Sequence, residues 1–134
     1  MIYFKESELT CKCGCGRSNM SKIFMDQIEH ARYVADLICK GEGYDPETAK
    51  FIVTSGCRCV FHNKDKGGAI NSHHICTDVM DSSAMDIAFN SGVQLYVIVK
   101  SLIMAGFNHI GINRAKHFIH VDDINEKFMF VYEE

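Results

Sequence analysis

Between Ser21 and Lys40 the apolar residues Ile23, Phe24, Ile28, Ala31, Val34, Ala35 and Ile38 recur at three- and four-residue steps. That period predicts a helix over 21–40 with one face turned to a core. Ser18, Asn19 or Ser21 is available to cap its start, and Gly41 stands just past its end. Val93, Val97, Ile98, Leu102 and Ile103 repeat the pattern and predict a second helix from Ser91 to about Ala105, ended by Gly106. Shorter runs read as strands: Phe51–Thr54, Ala84–Phe89, His109–Ile112, Phe118–Asp122 and Phe128–Tyr132. Asn113–Lys116 is a polar connection of hairpin length, and Gly41–Pro46 is a turn. Residues 1–20 look irregular, with Phe4 and Leu9 as candidate anchors to the core. No period holds from Gly56 to Ser83. A loop of that length in a compact domain is usually functional or disordered.

The order is helix, strand, long loop, strand, helix and strand meander. It predicts a small α+β fold, with helices packed on one side of a mainly antiparallel sheet. A chain of 134 residues suits one domain, 1–134. The 47% hydrophobic content argues against disorder. A net charge of −3 without a basic block gives no footprint for nucleic acid. No apolar run approaches the roughly 20 residues of a membrane span. Met1–Glu6 lacks the features of a signal peptide, so the expectation is synthesis and retention in a cytosol unless something else releases the protein.

Seven cysteines are present, and without a secretion signal they are expected to be reduced. Cys11, Cys13 and Cys15 alternate in a glycine-punctuated loop and could bind a metal with Cys57 or Cys59. A reduced, partly buried loop is the simpler expectation, because structural zinc sites usually pair ligands two to four residues apart from two loops.

In Phe118–Asp122, alternation puts Phe118, His120 and Asp122 on one face and Ile119 and Val121 on the apolar one. On that strand alone, His120 and Asp122 are ordinary solvent-facing polar residues. Asp86 is different, because it sits in the apolar run Ala84–Ala88. A carboxylate buried there needs a cation, hydrogen bonds or a metal. His73 and His74 lie in the loop before it, and His30, His62 and His109 read as structural or surface residues.

Together these pieces form an ordered set: Ser55-Gly56-Cys57-Arg58, Asn63, Gly67-Gly68, Ser72-His73-His74, Ala84-Met85-Asp86 and His120-Val121-Asp122. The set resembles the zinc-dependent D-Ala-D-Ala carboxypeptidases and related peptidoglycan endopeptidases, which share a fold with hedgehog-type domains. Tyr3–Cys11 resembles the opening of a subset of that family. The resemblance implies one catalytic Zn2+ held by His74, Asp86 and His120, with the fourth position left to water. It implies that Arg58 holds the substrate's terminal carboxylate or the developing oxyanion, and that Ser72 contacts the substrate backbone or orients the loop. Relatives often place an acid three residues before the last histidine, a position taken here by His117. Asp122 shares a face with His120 and is ranked just ahead of His117 as base or as the carboxylate supporting His120.

The chain departs from the family pattern at residues 75–83, which lengthen the loop between His74 and Asp86 and put Ser82 where a glycine is usual. Loop insertions are cheap, so the ligand set can survive, with His73, Cys76, Asp78 and Asp81 as alternatives, while the substrate specificity of the family does not carry over. The expected function is a zinc metallopeptidase acting on peptidoglycan stem peptides, as a monomer, in the manner of a phage lytic enzyme. Two other readings stand beside it: a non-catalytic phage structural or cell-wall-binding module of the same fold, and a cysteine-rich metal or redox module.

Overall fold

The computed structural model describes residues 1–133. Its elements run α1 (Glu6–Leu9), α2 (Lys22–Glu42), a 3-10 turn (Pro46–Ala49), β1 (Ile52–Ser55), α3 (Val60–Asp65), β2 (Ala84–Ala88), α4 (Gly92–Met104), β3 (His109–Asn113), β4 (Phe118–Asp122) and β5 (Phe128–Val131). The strands form one sheet in the order β1-β2-β4-β3-β5. All pairings are antiparallel except β3 with β5. This is the expected α+β class.

Local chemistry sets the helix ends. The Ser21 side chain accepts from the Phe24 N–H at the start of α2. The helix runs beyond Gly41 and stops at Gly43, whose φ of +76° supplies the left-handed turn that glycine tolerates best. In α4 the Ser91 hydroxyl accepts from the Gln94 N–H. The helix stripes are narrower than the sequence pattern suggested. Ile23, Val93 and Ile103 are exposed, while Gln94 and Ser101 are buried in the α4 interface. The last strand does not continue the meander. It crosses to the outer edge of β3 and pairs with it in parallel.

Helices α2 and α4 share one core with the inward side chains of the sheet, Met85, Ile87, Ile110, Ile119 and Val121. Phe4 and Leu9 dock into it, as expected. The opposite face of the sheet is therefore left for polar residues. Across it runs one register row: Ser55 beside Asp86, Asp86 beside His120, His120 beside Gly111, and Gly111 beside Phe130. A Cβ on Gly111 would lie 2.3 Å from the Phe130 ring, so only glycine lets that ring cross the strand.

The long loop is ordered by covalent and hydrogen-bonded ties. Cys57 and Cys76 form a disulfide, which corrects the expectation of reduced thiols at these two positions. The Arg58 N–H donates to the His74 carbonyl at 2.8 Å, and the Cys76 N–H donates to the Arg58 carbonyl at 2.8 Å. Asn63 donates to the Ala69 carbonyl, and Gly68 lacks the Cβ that would collide with the Asn63 amide. Residues 60–65, with no apolar period, form the short helix α3.

Candidate metal centre

Two of the site's side chains come from neighbouring strands. Asp86 on β2 and His120 on β4 are direct cross-strand partners, which brings such side chains within about 5.5 Å at Cβ. The third, His74, comes from the tethered loop. The donor atoms converge: His74 Nε2 lies 3.2 Å from Asp86 Oδ1 and 3.3 Å from His120 Nδ1, and His120 Nδ1 lies 3.0 Å from the same Asp86 oxygen. His74 and Asp86 are buried, and the His120 side chain is only 12% exposed.

Each ring nitrogen outside the triangle has its own partner. His74 Nδ1 lies 2.8 Å from the Gly56 carbonyl, and its N–H there leaves Nε2 with a free lone pair. His120 Nε2 lies 2.7 Å from Asp122 Oδ2, which leaves Nδ1 facing Asp86. Burial alone would raise the Asp86 carboxyl, but the neighbouring His120 and His74 hold it well below the usual carboxylate range. Burial would lower the His120 imidazole, but its hydrogen bonds to Asp122 and Asp86 push it up to about 9. Two imidazoles and a carboxylate are thus aimed at one point.

The donor set fits zinc. Nitrogen and oxygen donors roughly 2.0–2.1 Å from a tetrahedral ion stand about 3.3 Å apart, and the three separations here are 3.2, 3.3 and 3.0 Å. The alternatives are engaged elsewhere. His73 pairs with Asp123, Cys76 is in the disulfide, Asp78 pairs with Arg17, and Asp81 accepts from Asn19.

Arg58 closes one side. Its Nη2 lies 3.2 Å from Asp86 Oδ2 and its Nε donates to the Ser55 hydroxyl at 2.9 Å. A bulge between Val53 and Ser55 brings Ser55 into the Asp86 row. The Ser72 hydroxyl accepts from the His74 N–H at 3.2 Å, so it shapes the loop carrying the ligand. Arg58, Ser55, Ser72 and the three converging side chains line a cleft of about 1000 Å³, together with Asp122, Tyr132 and Glu133. Lys12, Lys66 and Lys116 add positive charge to its walls. Burial, with the nearby Asp86 charge, pushes the Tyr132 phenol up to about 12, so it stays a neutral donor.

The two residues ranked as base fare differently. Asp122 is buried, and its oxygens receive His120 Nε2, His109 Nδ1 at 2.9 Å and the Ile124 N–H at 3.0 Å. Of its two expected roles, the geometry fits support of His120. His117 is not brought to the cluster. It sits at φ +55° in the turn before β4, its carbonyl accepts from the Phe89 N–H, and its exposed ring lies 5.7 Å from that of Phe89. The chain bends there, and His117 is not among the residues that line the cleft.

His109, read from the sequence as structural or surface, is the second partner of Asp122. Its signal was the hairpin itself. A tight connection at 114–117 sets His109 opposite Asp122 and Gly111 opposite His120.

A family model described as Peptidase M15 matches residues 2–122. No curated protein matches the chain.

Proposed function

Because the chain belongs to the peptidase M15 family, we propose that it is a zinc metallopeptidase hydrolysing peptidoglycan stem peptides, as a D-Ala-D-Ala carboxypeptidase or a lysin-type endopeptidase. The observation that carries this reading is the convergence of His74, Asp86 and His120 on one point in a walled cleft, with a guanidinium beside it. His74 Nε2, Asp86 Oδ1 and His120 Nδ1 would hold the ion. Zinc held there supplies Lewis acidity toward a peptide carbonyl and a lowered pKa for the attacking water.

The chain's own residues do the rest. Asp122 fixes the ring orientation of His120 and keeps its proton on Nε2. Arg58 spends Nε on Ser55 and Nη2 on Asp86, and its Nη1 makes no hydrogen bond to the described residues. That nitrogen is available to a substrate carboxylate or to a developing oxyanion. Lys12, Lys66 and Lys116 favour a peptide that ends in a free carboxylate. Asp86 and Asp122 are committed to the histidines, so among the described residues that line the cleft Glu133 is the carboxylate available to accept a proton from water. Tyr132, as a neutral phenol, donates to the substrate.

The test is incubation of the zinc-loaded protein with purified muropeptides, with and without chelator, read by mass spectrometry. Release of D-alanine supports the carboxypeptidase, and fragments cut within the stem support the endopeptidase. Intact muropeptides in the presence of bound zinc would overturn the enzyme and favour a binding module of the same fold.

A further inference from the structure

The sulfur atoms of Cys11, Cys13, Cys15 and Cys59 lie within 4.8 Å of one another, on the strap that joins the N-terminal segment to the start of α3. We propose that these four thiolates hold a second, structural zinc ion. In a tetrahedron of Zn–S bonds near 2.3 Å, neighbouring sulfurs stand about 3.8 Å apart. Cys11 and Cys13 are 3.5 Å apart at sulfur, and Cys13 and Cys59 are 3.6 Å apart. A disulfide needs about 2.05 Å, so these contacts are not bonds. In the same chain Cys57 and Cys76 are paired covalently while these four stay free.

The backbone is arranged for thiolates. The Cys59 N–H points at Cys11 Sγ at 3.3 Å, and the His62 N–H points at Cys59 Sγ at 3.4 Å, where Cys59 caps α3. Gly14 and Gly16, at φ +88° and +82°, turn the chain so that three cysteines in alternate positions reach one point. The Cys11 N–H donates to the Arg17 carbonyl at 2.7 Å and closes that loop. The ligands come from two separate parts of the chain, as structural zinc ligands do, although three of the four lie on one loop. All-sulfur tetrahedral coordination selects a thiophilic ion and leaves no position for water. On binding, the four thiols release their protons to solvent and the ion takes their place.

The consequence is local. Beside the cysteines, the Cys57 N–H on the Leu9 carbonyl joins the N-terminal segment to the start of the long loop. With zinc in place, Arg58 sits between a disulfide cysteine and a metal-bound one, and its backbone is held from both sides.

Native mass spectrometry and elemental analysis test this directly. Wild type is expected to carry two zinc ions per chain. The Asp86→Asn variant is expected to keep one, and the Cys13→Ser/Cys15→Ser variant to keep the other. Cobalt-loaded Asp86→Asn protein should show thiolate-to-metal charge-transfer absorption, and cobalt-loaded Cys13→Ser/Cys15→Ser protein should not. A measurement without variants is the rate of thiol modification in the native protein, which should rise steeply when a chelator is added. Zinc content that is the same in wild type and in Cys13→Ser/Cys15→Ser, thiols that react equally with and without chelator, or a disulfide among these four in the purified protein would each overturn the site.

Discussion

Replacing Asp122 with asparagine separates a residue that works through His120 from one that works on the substrate. Asn keeps the size and can still accept through its oxygen, but it carries no charge. The native carboxylate takes His120 Nε2 at 2.7 Å, His109 Nδ1 at 2.9 Å and the Ile124 N–H at 3.0 Å, in a buried position. Loss of such a partner behind a metal-bound histidine typically weakens the metal about 10–100-fold, or roughly 1.4–2.7 kcal/mol. The expected result is a fall in zinc affinity within that range, measured by competition with a chromophoric chelator. At saturating zinc, muropeptide cleavage should recover in large part. Unchanged zinc affinity with cleavage abolished would refute the reasoning and return Asp122 to the role of base.

Glu133→Gln should lower kcat by about 10²-fold or more, the range expected for loss of a general base, with zinc content unchanged; a variant at full activity removes Glu133 from the reaction. Gly111→Ala puts a methyl group 2.3 Å from the Phe130 ring, and the forced shift should cost about 1–3 kcal/mol, read as a lower midpoint in urea; an unchanged midpoint would show that the ring is free to move. Chelated protein should lose stability as pH rises. The His120 imidazole is raised to about 9 in the folded chain, so its contribution is full below its unfolded value of about 6.5 and disappears as pH climbs through 9. Asp86 is held low, so its contribution is present above about 3.9 and fades only in stronger acid. Melting temperatures of the metal-free protein that are flat or rising from pH 6.5 to 9.5 would contradict this.

Much of the architecture was legible because period and burial agree. The strand Phe118–Asp122 shows this best: Ile119 and Val121 are fully buried, and His120 and Asp122 share the other face. Asp86 was legible for the opposite reason, as a charge in a run that must be buried. Where the reading slipped, tertiary context decided. Ile23, Val93 and Ile103 fit a helical stripe, but the surface that α2 and α4 cover is too narrow to reach them. Helix α3 has no apolar face, and its start is capped through Cys59, whose role depends on a loop 46 residues away. The pairing of Cys57 with Cys76 follows from the fold of the long loop, which no local pattern encodes. The parallel β5 has no hairpin signal, because its connection crosses the end of the β3–β4 hairpin. Part of the site was recoverable. Counting back from the 114–117 connection pairs His109 with Asp122, and that step needed only the register.

The excursion after His74 returns to a fixed seam. The Thr77 N–H meets the Met80 carbonyl, Ser82 is tied to Asn19 and Ser21, and Ser83 donates to His73 and accepts from Asp123. Everything between those stitches hangs outside the cleft, with Val79 almost fully exposed. The chain has in effect a built-in splice point. Foreign peptides, labels or a recognition module grafted at Val79, the exposed tip between those stitches, would ride beside the cleft and leave His74, Asp86 and His120 where they are.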